Sequence, residues 1–236
     1  MTVRPFVLAY LPYANPEAEA MTRRAVESTV ALGLGCDLWH AVDPWWDGSP
    51  QQLRELRLRA FGPHPTLEYV NGSLAGNWKL ALDVAFGRED HVTHAAFLSN
   101  DRVWLAGAGR FLEELTGPER LPTDFFFVPS LDVFMLSREL WRELRPIFRA
   151  EAFPPSGFED DEFKALLRSL GARMDSWSLL PWVGGSREGT IRTLGVDRYH
   201  GGKHRENFEA NRRTFVDRWG WDPTRGPGRP TRELRP

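Results

Sequence analysis

The chain has 236 residues, long enough to fill one core and most simply one domain. With 42% hydrophobic and 26% charged residues and a formal charge of −2, it has no global charge excess that calls for nucleic acid or membrane binding. Cys36 is the only cysteine, which excludes an intramolecular disulfide and a cysteine-based zinc site. No uncharged apolar run approaches the roughly 20 residues of a membrane span, and the N-terminus lacks a signal-peptide layout. A cytoplasmic protein is expected, with peripheral contact to a membrane left open.

Phe6 to Leu11 is a continuous apolar run stopped by Pro12, the pattern of a buried parallel strand. Asn15 then precedes Pro16 and the acids Glu17 and Glu19, a helix start that predicts a helix to about Leu32, closed by Gly33 and Gly35. Asp37 to Val42 reads as a second strand, followed by a turn through Asp43, Trp45, Trp46 and Asp47. A polar helix is expected over 51–59 and a strand over 66–70. Leu74, Trp78, Ala81, Leu82 and Ala85 then recur at the helical period, and 94–98 reads as a strand ending at Ser99-Asn100-Asp101. This alternation predicts an α/β fold, a mainly parallel sheet with helices on both faces, whose ligands lie beyond the carboxyl ends of the strands.

The second half reads as smaller and mixed. Strands are expected at 125–128 and 132–136, a helix over 138–148, and a second helix presenting Phe163, Leu166, Leu167 and Leu170 and ended by Gly171. Phe208, Phe215, Val216 and Trp219 mark one last helix. The layout is therefore one domain over 1–221, with a nucleotide-binding half (1–104) and an acceptor and catalytic half (105–221). Residues 222–236, rich in Pro, Gly and Arg, form a basic tail with the composition of disorder.

Three constellations carry chemistry. Asp101 follows an apolar strand, where a carboxylate either serves a turn or binds a divalent cation. Glu159-Asp160-Asp161-Glu162 suits a helix start, but four successive acids repel one another and raise the pKa of at least one, the tuning a general base needs. His200 stands beside Gly201-Gly202 and the basic run Lys203, His204 and Arg205, where amides and cations can meet phosphate. Asn77 and Lys79 share a helix whose plain reading is an exposed face. No P-loop, Gly-x-Gly-x-x-Gly fingerprint or Gly-x-Ser-x-Gly elbow occurs.

Taken in order, these segments resemble the family 2 type of glycosyltransferases, which have the GT-A fold, over about Phe6 to Trp221. Tyr10-Leu11-Pro12-Tyr13-Ala14-Asn15 looks like the opening strand and its turn, and Val42 to Ser49 like a strand ending in Asp and Gly-Ser. Asn71 to Asn77 is similar to the Gly/Ala-rich segment before a helix. Phe97 to Asp101 resembles the strand with the Asp-x-Asp metal motif, with Ser99 where the first Asp would stand. Glu159-Asp160 resembles the Glu-Asp motif of the catalytic base, and His200-Gly201-Gly202 the late histidine of the metal site.

The resemblance implies an inverting transfer from a nucleotide-diphosphate sugar to an acceptor hydroxyl. Asp160, with Asp161 open as alternative and Glu159 beside them, would serve as base. Mg²⁺ or Mn²⁺ would be held by Asp101 and His200. The donor would be bound by Pro12, Tyr13, Asn15, Asp43 or Asp47, Asn77, Lys79, Asn100, Asp101, Lys203 and His204. The acceptor is open among a glycan, a lipid-linked sugar, a small molecule and DNA.

Two other classes compete. A sugar nucleotidyltransferase would carry a glycine-rich, basic loop after the first strand, which Pro12 to Asn15 is not. A catalytically silent binding protein would use the basic end, where twelve Lys or Arg stand against seven Asp or Glu from Ser186 onward, on nucleic acid or anionic lipid. The same end leaves room for a glycosyltransferase whose acceptor is modified DNA.

Overall fold

The first strand, β1 (Thr2–Tyr10), shows how this chain builds a two-sided sheet. Phe6 and Leu8 point into one core and Val7 and Ala9 into another, as the two-residue period of a strand requires when both faces are covered. In this computed structural model, residues 2–11, 15–42, 48–70, 74–117, 123–129, 131–149, 152, 157–185 and 204–225 are described.

After β1 come α1 (Pro16–Val30), β2 (Asp37–Val42), α2 (Pro50–Phe61), β3 (Leu67–Val70), α3 (Leu74–Gly87) and β4 (Val92–Ser99). The second half adds β5 (Val103–Trp104), α4 (Ala108–Leu115), β6 (Phe125–Phe127), β7 (Val133–Ser137), α5 (Arg138–Leu144), α6 (Glu159–Ser169), β8 (Met174–Asp175), β9 (Val183–Gly184) and α7 (His204–Trp219). Seven strands form one sheet in the order β3-β2-β1-β4-β7-β6-β8, and β5 pairs with β9 in a small separate ribbon. The β3-β2-β1-β4 half is parallel throughout. β7 runs antiparallel to both neighbours, β4 and β6, while β8 is parallel to β6. The mainly parallel α/β sheet expected from the alternation is the observed one.

Helices α1, α2 and α4 pack on one face and α3, α5, α6 and α7 on the other. The core that takes Phe6 and Leu8 is an aromatic cluster around Phe134, whose ring centroid lies 5.0 Å from Phe97, 5.3 Å from Trp78 and 5.6 Å from Phe163. Such edge-on and tilted pairs contribute about 0.5–1.5 kcal/mol each beyond their buried area. They clamp α3 and α6 to the same strands.

Local chemistry explains the boundaries. Asn15 Oδ1 accepts from the amides of Glu17 and Ala18 at 3.0 and 3.1 Å and starts α1. Ser49 and Gln52 close a capping box on α2. Three expectations shift. β1 begins at Thr2 rather than Phe6, because residues 2–5 pair with Val92 to Ala96 of β4, while the Arg4 side chain clasps Asp37 of β2 at 2.9 and 3.0 Å. α1 stops at Val30, two residues early, as the Leu32 and Gly33 amides turn back to Thr29 and Val30. α5 stops at Leu144 instead of Phe148: Pro146 has no amide to donate, and Ile147 and Phe148 both bond back to the Leu144 carbonyl. Beyond α7, Asp222 accepts from Arg212 at 2.7 Å, and Pro223–Arg225 form a 3₁₀ turn.

Candidate functional site

β4 delivers Ser99, Asn100 and Asp101 to the carboxyl edge of the parallel strands. Asn100 is buried and donates to Thr22 Oγ1 of α1 at 2.9 Å, which fixes the turn. Asp101 is buried as well, yet no hydrogen bond reaches its Oδ1 among the described residues. A buried acceptor left unmet costs about 1–3 kcal/mol, so its place in a native fold asks for a reason. Next to it, Arg102 spans from Asp132 Oδ2 at 2.8 Å to the Gly185 carbonyl at 3.0 Å. Gly185 itself has φ +104°, and a Cβ there would lie 2.5 Å from the Asp101 carbonyl oxygen. Only glycine lets the chain leaving β9 press this closely on Asp101.

The acidic cluster opens α6 under strain. Phe158, immediately before it, has φ +70°, a conformation that costs a non-glycine residue on the order of 1 kcal/mol or more. Two contacts from α7 hold it there. Asn211 donates to the Gly157 carbonyl at 2.9 Å, and Phe208 packs on the Phe158 ring at 4.9 Å.

The helical period then sorts the four acids. Glu159 and Glu162 turn inward and are buried. Glu162 meets Arg218 and the indole N–H of Trp219, although burial still raises its pKa against those partners. Asp160 stays partly exposed, 3.5 Å from Lys164. Asp161 is pushed up to about 6, chiefly by burial and then by the neighbouring Asp160, with Lys164 and Arg168 opposing.

The turn between β6 and β7 joins these two parts. The Ser99 amide donates to the Asp132 carbonyl at 2.8 Å, and the Asp132 carboxylate holds Arg102. Three residues earlier, the Pro129 carbonyl accepts from Lys164 Nζ at 3.0 Å. Leu131 in the same turn has φ +53°. Asp101 and the pair Asp160–Asp161 therefore flank one turn, with Arg102 and Lys164 as the intervening cations.

Of the other residues singled out from the sequence, Asn15, Asn77 and Lys79 lie within the described residues. Asn15 caps α1. Asn77 is buried within α3, and Lys79 Nζ donates to the Phe148 carbonyl at 3.3 Å, tying α3 to the segment after α5. His204 begins α7, and its side chain lies outside the described residues, as do Pro12, Tyr13, Asp43, Asp47, His200 and Lys203. Among the described residues no three His, Cys, Asp or Glu side chains stand together to hold a metal ion. No helix among them is long and apolar enough to cross a membrane.

Sequence reasoning missed Thr22, Arg102, Asp132 and Gly185, each of which acts across long chain separations. Lys164 was within reach, since Asp160 and Lys164 have the i,i+4 spacing of a helical ion pair. His40 was missed too. It is wholly buried on β2, its pKa pushed down to about 4 by burial and then by Arg57, whose Nε donates to Nδ1 at 3.1 Å.

No protein-family model matches the chain, and no curated protein matches it. Similar solved structures include a mutant β1,4-galactosyltransferase 7 of Drosophila in complex with manganese, UDP-Gal and xylobiose. It is 11% identical with TM-score 0.41, over 74% of this chain and 64% of that one. The chain thus spans under two thirds of that enzyme's length. A candidate nucleotide-diphospho-sugar transferase of Desulfovibrio desulfuricans G20 is 14% identical with TM-score 0.46, over 90% and 98% of the two chains. A 4-diphosphocytidyl-2C-methyl-D-erythritol synthase of Anaerococcus prevotii DSM 20548 is 6% identical with TM-score 0.49, over 83% and 95%. At such scores these likenesses add no weight to the residues described above.

Proposed function

We propose that the protein is a metal-dependent, inverting glycosyltransferase that moves a sugar from a nucleotide-diphosphate donor to an acceptor hydroxyl. The observation that carries this reading is the buried Asp101 oxygen that finds no hydrogen-bond donor among the described residues, at the carboxyl edge of the parallel strands and across one turn from a carboxylate with a raised pKa. A lone carboxylate with a free lone pair fits a divalent cation whose other positions are filled by phosphate oxygens and water. Asp101 would hold Mg²⁺ or Mn²⁺ there, with His200 as the further ligand that the sequence suggests. When bound, the ion supplies positive charge opposite the leaving diphosphate.

The chain's own groups do the rest. Either Asp160 or Asp161 takes the proton of the acceptor hydroxyl, whose oxygen forms a bond to the anomeric carbon as the bond to the diphosphate breaks. Asp161 has the tuning for this role, being ionised at neutral pH yet more basic than an exposed aspartate. Asp160 is held by Lys164 and keeps Asp161 basic by repulsion. Burial of Glu159 and Glu162 leaves those two acids to packing rather than proton transfer.

The test is thermal unfolding with UDP, GDP, CDP and dTDP, each with and without Mn²⁺. One nucleotide at about 100 times its Kd stabilises by about 2.7 kcal/mol, a rise of several degrees in Tm. Asp101→Asn is expected to abolish the Mn²⁺-dependent part and leave the unliganded Tm within a degree or two. Stabilisation that is equal with and without metal, or unchanged in Asp101→Asn, refutes the metal assignment.

A further inference from the structure

Among the described tryptophans only Trp177 is exposed. It shows 72% of its surface, while Trp39, Trp78, Trp104, Trp141 and Trp219 are buried. Its exposure is not that of a loose loop. Asp175 Oδ1 accepts from the amides of Trp177 and Ser178 at 2.8 and 2.9 Å, and Ser178 Oγ donates to Oδ2 at 2.6 Å. The Trp177 carbonyl accepts from Leu180 at 3.1 Å, and Leu179 between them is wholly buried. The backbone is pinned on both sides of an indole left in water.

Its place in the fold is defined by register. Asp175 of β8 pairs with Phe126 of β6, and the strands are parallel, so both leave the sheet at the same end. β6 leads there into the turn whose Pro129 carbonyl is held by Lys164, the partner of Asp160. Trp177, two residues past Asp175, thus stands one strand away from the turn that Asp101, Asp160 and Asp161 flank.

We infer that Trp177 is the platform on which a pyranose ring of a carbohydrate acceptor stacks; this rests on the glycosyl-transfer reading above and names its acceptor class. The flat, weakly polar C–H face of a pyranose matches an indole face, whose negative quadrupole attracts those hydrogens. Stacking on a ring carried by a fixed backbone turn costs side-chain freedom but no ordering of a loop. Its chain neighbours Asp175, Ser176 and Ser178 are polar, and the exposed large apolar side chains of this turn are Trp177 and Leu180, a smaller surface than a broad apolar protein face.

Calorimetric titration of the full chain, as wild type, Trp177→Phe and Trp177→Ala, with cellotriose, chitotriose and xylotriose in the presence of UDP and Mn²⁺ tests this. At least one saccharide is expected to bind the wild type, to bind Trp177→Phe within a few-fold, and to bind Trp177→Ala about tenfold or more weakly. No binding to the wild type, or equal binding by Trp177→Ala, overturns the proposal. So does a change of oligomeric state in Trp177→Ala by sedimentation without a change in saccharide affinity, because the indole then serves a protein contact. Mn²⁺-dependent stabilisation by nucleotide reads out the donor site separately and is expected to survive in Trp177→Ala. If it is missing from the wild type while saccharide binding still depends on Trp177, the transfer reading fails and the carbohydrate site stands.

Discussion

Arg138, at the start of α5, offers the sharpest test of how this framework is held. Its guanidinium is buried with no carboxylate partner among the described residues and spends its N–H groups on three backbone carbonyls: Phe86 at 2.7 Å, Glu89 at 2.6 Å and Val92 at 2.7 Å. These carbonyls belong to the end of α3, the following turn and the first residue of β4, so one side chain fastens the entry to the strand that carries Asp101. Replacing it by methionine keeps the stem's packing and removes all three donors. Each bond from a charged donor contributes about 1.5–3 kcal/mol. The sum is offset by several kcal/mol of desolvation that burying the guanidinium costs. About 3 kcal/mol of net loss remains, which for a chain of this size lowers Tm by about 6–12 °C. Urea titration with far-UV circular dichroism measures it, and Arg138→Lys, able to serve fewer carbonyls, is expected to fall between. A loss below about 1 kcal/mol in Arg138→Met would refute the reasoning, because it would mean that the turn opens to water at little cost.

Two further outcomes follow from the site. The Asp161 carboxyl holds its proton in the fold up to about pH 6 but releases it near pH 4 when unfolded, so the native state binds the extra proton between those values. Its contribution to stability is therefore full below about pH 4 and is lost as the pH rises through about 6, and Asp161→Asn should remove that decline. Tm of the variant is expected to match wild type at pH 4 and exceed it at pH 7.5; a variant less stable at pH 7.5 contradicts the assignment. Gly185→Ala forces a Cβ to 2.5 Å from the Asp101 carbonyl at φ +104°, and is expected to cost about 1–3 kcal/mol in chemical denaturation and to weaken Mn²⁺-dependent nucleotide stabilisation. Wild-type behaviour in both measurements would show that the chain after β9 does not buttress Asp101.

What was legible in the sequence was what short-range physics writes there. The unbroken apolar run of β1 required cover on both faces, and Asn15 with Pro16 announced α1 because capping is a contact between neighbours. Pairings that span the chain left no such mark. β5, β8 and β9 are two residues each and exist only because a partner distant in the chain offers its edge. The insertion of antiparallel β7 between β4 and β6 could not be read from two apolar segments that look alike. The site divides the same way. Asp101 and the acid run were visible as residue types at strand and helix ends, whereas Arg102, Asp132 and the Pro129 carbonyl enter only through tertiary contacts. The raised pKa foreseen for the acid run has burial as its main cause and repulsion second, and burial is not written in four adjacent letters. His40 was hidden for that reason too.

Glu162 gives the acidic turn a temporal order. Its carboxylate is sealed in the interior against Arg218 and Trp219, near the far end of α7, while the strained Phe158 is gripped by Phe208 and Asn211 of the same helix. During synthesis the first turn of α6 emerges long before those partners, and until they arrive it holds an uncompensated acid and an unsupported backbone twist. The turn that carries Asp160 and Asp161 is thus among the last regions to mature, set in place by a segment that contributes no acid to it.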